Sequence, residues 1–167
     1  IGVVENQAPT KALEKELPVI DGLVGMDSEG DVCQIALVER HRATGQVTNA
    51  FVSGFGYSRP CAMASTVAHD SHHMIVVGTD DGAMARAANE LARVGGGQVV
   101  VRGDEVVARV ELPIGGLMSE ERAEVVAEKA EGVLRAMRDC GCRLNNANMQ
   151  LSLLALVVGI FLIYNTV

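Results

Sequence analysis

The chain has 167 residues, of which 49% are hydrophobic, and a net charge of −7; it is large enough for one domain with a real core and too apolar to be disordered. That charge, a pI near 5.0 and a complement of Trp 0, Tyr 2 and Phe 3 exclude a nucleic-acid partner, because phosphates need a basic face and bases need stacking platforms. Cys33, Cys61, Cys140 and Cys142 are too irregular for a disulfide framework, and Cys140-Gly141-Cys142 lacks the spacing of a zinc knuckle; they read as incidental thiols in a reducing, cytosolic setting.

In chain order, residues 1–31 are weakly patterned and punctuated by Pro9, Pro18, Gly22, Gly25 and Gly30, with a helical turn or two over Thr10–Leu17. The start at Ile1 reads as a linker or the continuation of a longer polypeptide. Val32–Glu39 and Val47–Val52, joined by a turn at Arg42–Gly45, predict a hairpin. Gly54–Pro60 is a loop. Met74–Val77, closed by Gly78, has the continuous apolar character of a strand buried on both faces. Thr79, Asp80 and Asp81 then offer caps for a helix carrying Met84, Ala87, Ala88 and Leu91, which Gly95–Gly97 ends.

Val99–Val101 and Val106–Val110 flank Gly103-Asp104 as a second hairpin. Ser119, with Glu120 and Glu121 beside it, caps a second helix whose apolar stripe is Val126, Ala130, Val133 and Met137, running to about Cys140. Met149–Val158 predicts a last buried strand. From His72 onward the order is strand, helix, strand, strand, helix, strand. The fold class is therefore α+β: a split βαβ-like sandwich, with a mostly antiparallel sheet, both helices on one side, and an extra N-terminal hairpin. Residues 149–167 carry no charge, but Gln150, Ser152, Asn165 and Thr166 shorten the apolar part to about fourteen residues, nearer a core segment than a membrane span.

The chemistry concentrates in Ala64–Thr79, where His69, His72 and His73, three of the chain's four histidines, interleave with Asp70 and Ser71 just before the buried strand. A neutral imidazole can shuttle a proton or ligate a metal, a carboxylate can orient it, and a hydroxyl can donate to a ring nitrogen. His69, Asp70, Ser71 and His72 are the catalytic-loop candidates. The structural alternative is that Asp70 and Ser71 cap a turn while the histidines satisfy backbone groups. Metal ligation by His69 with His72 or His73 is the weaker option, since one cluster with few acids makes a poor site. His41 reads as a hairpin-end residue that holds its turn. Gly95–Gly97 closes a helix instead of opening one, so it is no phosphate loop and predicts no cofactor.

Val38-Glu-Arg-His-Arg-Ala-Thr-Gly45, Gly54-Phe-Gly56, Ala68-His-Asp-Ser-His72 and Val76-Val-Gly-Thr79 resemble the C-terminal domain of bacterial-type adenine deaminases, as do Gly95-Gly-Gly97, Leu112-Pro-Ile-Gly-Gly-Leu-Met-Ser119 and Leu151-Ser-Leu-Leu-Ala-Leu156. The blocks keep the family's order from Asp31 to Val158. The resemblance implies a domain over 32–158, with 1–31 leading from an upstream (β/α)₈ barrel and 159–167 a divergent apolar tail. It implies membership of the amidohydrolase superfamily and of purine metabolism. The substrate would be adenine, hydrolysed to hypoxanthine and ammonia by a water activated on manganese or iron (Mn²⁺ or Fe²⁺) in that barrel. It further implies a cytoplasmic homo-oligomer and a fragment inactive alone, since no His-x-His strand end occurs here. The other class of function is a stand-alone module that binds a metal or small ligand, membrane-tethered by its tail.

Overall fold

The structure is a computed structural model that describes residues 1–145 except Asn6, Ala8, Ser28 and Asp70; the expected strand at Met149–Val158 and the tail lie outside the described residues. Its elements in order are β1 (Val19–Ile20), β2 (Leu23–Val24), β3 (Val32–Val38), β4 (Val47–Ser53), β5 (Cys61–Ser65), β6 (Met74–Gly78), α1 (Asp81–Val94), β7 (Gly97–Arg102), β8 (Glu105–Glu111) and α2 (Ala123–Asp139). β1 and β2 make a small two-stranded hairpin. The other six strands form one sheet in the order β4-β3-β6-β5-β7-β8, antiparallel at every junction.

The mixed α+β class, the antiparallel sheet and the N-terminal hairpin β3–β4 agree with the sequence. β6 and β7 both pair with β5, so they run parallel with one strand between them, and β6-α1-β7 is a split βαβ unit. Two expectations about the sheet and its covering layers need correction. The strand between β6 and β7 is β5, for which no strand is expected between the Gly54–Pro60 loop and the histidines; its Cys-Ala-Met-Ala-Ser sequence has no β-branched residue, yet all five residues are buried. Small side chains suit a central strand squeezed from both faces.

The helices, moreover, lie on opposite sides of the sheet, not on one. Successive strand residues point to opposite faces, and here both faces are apolar. Ala36, Ala62, Ala64, Met74, Val76, Val99 and Val101 pack with Ala83, Met84, Ala87 and Leu91 of α1. Ile35, Leu37, Met63, Ile75, Val77, Val100 and Val110 pack with Val133, Ala136 and Met137 of α2. The doubly buried character of Met74–Val77 already required a layer on each side. Around the β8 edge a chain of ion pairs ties the layers together, from Glu90 of α1 through Arg109 and Glu111 to Lys129 of α2.

Local signals account for the helix ends. Asp80 accepts a hydrogen bond from the Ala83 amide at 2.7 Å, and Gly95 closes α1 in the left-handed region at φ 85°. α2 begins later than expected: Ser119 accepts from the Glu121 amide instead of capping the helix, whose N-cap is Arg122. No helix forms over Thr10–Leu17. Lys11 pairs instead with Gly2, and Ile1–Val3 runs beside the end of β4.

Candidate functional site

Strand directions bring four connections to one end of the sheet. The β3–β4 turn (39–46), the β5–β6 loop (66–73), the glycine turn into β7 (95–97) and the loop after β8 (112–118) all lie there. Each is secured by a buried or charged group. The Glu39 carboxylate accepts the amides of Arg42 at 2.7 Å and Thr44 at 3.0 Å and the Thr44 hydroxyl at 3.0 Å. These bonds, the Thr44 amide first, hold its carboxyl at about 2, far below the usual range.

Arg40 joins three of the connections. Its Nε donates to the His72 carbonyl at 2.6 Å and its Nη2 to the Gly115 carbonyl at 2.7 Å. The next residue, Gly116, has φ +76°, a conformation that favours glycine, and a Cβ there would stand 2.6 Å from the Arg40 guanidinium and push it aside. Buried Thr66 accepts from the Gly97 amide at 2.8 Å and donates to the Gly116 carbonyl at 2.6 Å, which binds the fourth connection to the others.

On this frame the histidines divide into two pairs. His41 and His73 are in ring contact, with centroids 4.8 Å apart, and the His41 Nε2 lies 2.8 Å from the Ser71 carbonyl. Burial first, and His41 and Arg40 after it, lower the His73 pKa below its ordinary value. His69 and His72 face each other edge-on at 6.0 Å, and His69 is exposed. Among the described residues neither of their rings makes a hydrogen bond. His72 also holds φ at +49°, an uncommon left-handed conformation for a residue with a side chain, fixed by its amide donating to the Ala68 carbonyl at 2.7 Å.

Of the sequence candidates, His69 and His72 are thus brought together and left unbonded. Ser71 serves the turn, its hydroxyl 3.4 Å from the His73 amide. Asp70 lies outside the described residues. His41 does hold the hairpin end, but it also enters the cluster, which sequence reasoning missed because thirty residues separate it from Ser71. Among the described residues no three His, Cys, Asp or Glu side chains converge on a common point.

At the other end of the sheet the chemistry is the reverse. Cys33, Cys61, Cys140 and Cys142 are free thiols buried in one cluster with Phe55 and Tyr57, whose rings stack at 5.5 Å. Burial pushes the Cys33 thiol up to about 12 and Tyr57 well above its usual value, so these groups stay neutral. The Tyr57 hydroxyl is buried without a partner among the described residues.

Comparison with known proteins gives this geometry a family. The family model for the adenine deaminase C-terminal domain matches residues 7–162. The chain belongs to that family. Among curated relatives, Adenine deaminase 3 of Rhizobium meliloti (strain 1021) is 70% identical over 95% of this chain, which spans 27% of that protein. The adenine deaminase of Ruegeria sp. (strain TM1040) is 71% identical over 95% of the chain and 26% of its own length. That of Rubrobacter xylanophilus is 48% identical over the same shares. The chain therefore spans about a quarter of the length of the curated relatives it matches.

Proposed function

We propose that this chain is the C-terminal part of an adenine deaminase, a hydrolase that converts adenine to hypoxanthine and ammonia, and that its histidine end closes the mouth of the catalytic barrel. The observation that carries the reading is the His69–His72 pair: two imidazoles on a rigidly anchored loop, unbonded among the described residues, at the end of a doubly buried strand. Packing gives no reason for them. A loop held by Arg40 and Thr66 can present titratable groups to a neighbouring site without moving.

Manganese or iron would supply an activated water from a site in the rest of the longer enzyme. What His69 and His72 can contribute is proton transfer and hydrogen bonding to the purine edge, both of which an imidazole can perform. Cytoplasmic residence and a homo-oligomeric enzyme complete the proposal. The test compares hypoxanthine formation from adenine by the full-length protein and by the 167-residue chain, each supplied with Mn²⁺ or Fe²⁺. Turnover by the former alone is expected. Metal-dependent turnover by the isolated chain would overturn the assignment of the metal centre to the missing part.

A further inference from the structure

β4 is an edge strand, and among the described residues only one end of its outer side is occupied. There the Val3 amide donates to the Ser53 carbonyl at 2.8 Å, the Ser53 amide to the Ile1 carbonyl at 2.8 Å, and the Ile1 nitrogen to the Phe51 carbonyl at 3.0 Å. Alternating donors and acceptors of this kind define a parallel ladder. It stops where Ile1 stops, while β4 continues. By strand alternation, the Phe51 amide and both main-chain groups of Asn49 and Val47 point to the same outer side, since Thr48, Ala50 and Val52 face β3. Val47 and Asn49 are exposed.

We infer that the open edge of β4, Val47–Phe51, receives a parallel strand from the polypeptide that precedes this domain in the longer adenine deaminases, extending the sheet to seven strands. The occupant follows from register: a chain continuing backward from Ile1 at strand pitch is carried directly along that edge, and the curated relatives are nearly four times as long as the chain. The residue two before Ile1 accepts from the Phe51 amide and donates to the Asn49 carbonyl; the residue four before Ile1 accepts from the Asn49 amide. An exposed edge strand is otherwise an aggregation hazard, and a covering strand removes it.

The direction has a consequence. A strand parallel to β4 arrives from the Val47 end, beside the 39–46 turn, so the upstream domain lies at the histidine end of the sheet and not at the thiol end. The ladder is independent of any catalytic role for the histidines, and the two readings fail separately.

The test is amide hydrogen exchange at residue resolution on the full-length protein, with Ala50 and Ser53 as internal references. Phe51 and Asn49 should exchange within about tenfold of Ala50, as hydrogen-bonded strand amides do. Proline at the positions two and four before Ile1, whose rings would clash with the Asn49 and Val47 carbonyls and force the strand off β4, should speed Phe51 and Asn49 by about tenfold or more and leave Ala50 unchanged. Exchange of Phe51 and Asn49 near the free-peptide rate would overturn the inference. So would protection that survives both prolines, which would mean that residues 146–167 or a second copy covers the edge.

Discussion

The two ends of the sheet are built from the same strands and spend their polar groups differently. At the thiol end, Cys33, Cys61, Cys140, Cys142 and Tyr57 form a buried cluster, and one carboxylate, Asp31, holds the loop after β4 by accepting the Gly54 and Gly56 amides. At the histidine end, Thr66, Arg40 and Glu39 are engaged in several bonds each, and nearly all of these go to loop backbone. The thiol end is closed mainly by buried apolar side chains and thiols. The other has four connections tied to one another by the side chains of Arg40 and Thr66, which suits presenting groups to a second body.

The contrast can be broken first at Thr66. Thr66→Val keeps the shape but strands the Gly97 amide and the Gly116 carbonyl inside the protein, and it should cost about 1–3 kcal/mol. Chemical denaturation measures it; an unchanged midpoint would mean that the loops are held by packing alone. Arg40→Ala, which releases the His72 and Gly115 carbonyls from a half-exposed guanidinium, should cost somewhat less, about 1–2 kcal/mol, and should raise amide exchange in 69–73 and 113–116 together. At the thiol end Tyr57→Phe removes a hydroxyl with no partner among the described residues and should leave stability within about 1 kcal/mol of the parent or improve it. A large loss there would reveal a hidden partner and weaken the distinction between the ends.

The smallest effects are those of pH. Glu39, free to titrate at 4.5 when unfolded and held at about 2 when folded, contributes its full stabilisation above 4.5 and loses it as pH falls through about 2. His73 is also lowered, by burial first, so its contribution is present above its ordinary 6.5 and declines as pH falls below that value. Histidine proton resonances followed between pH 7.5 and 5 should show the His41–His73 contact loosening before the 39–46 turn does.

Periodicity made most of this fold legible in the sequence. The β3–β4 and β7–β8 hairpins, α1 with Asp80 and Gly95 at its ends, and the doubly buried β6 follow from patterns of two and 3.6 residues and from cap chemistry. β5 was not legible, because Cys-Ala-Met-Ala-Ser carries little β-propensity and is a strand only through the neighbours on both sides of it. The placement of α2 was implicit in β6, whose two apolar faces each need a cover. For the site, sequence marked the His69–His73 loop but not its division into pairs. That division depends on contacts of His41 and Arg40 across thirty or more residues, which no local pattern encodes.

The central claim is that His69 and His72 serve turnover rather than folding. Its most direct measurement is kcat/KM for adenine beside the melting temperature in full-length His69→Ala and His72→Ala enzymes. The account predicts losses of about 10²-fold or more in kcat/KM, the scale of one positioned acid–base group, with the melting temperature nearly unchanged because neither ring is bonded among the described residues. Near-normal turnover in both variants, or turnover lost only in step with stability, would contradict it.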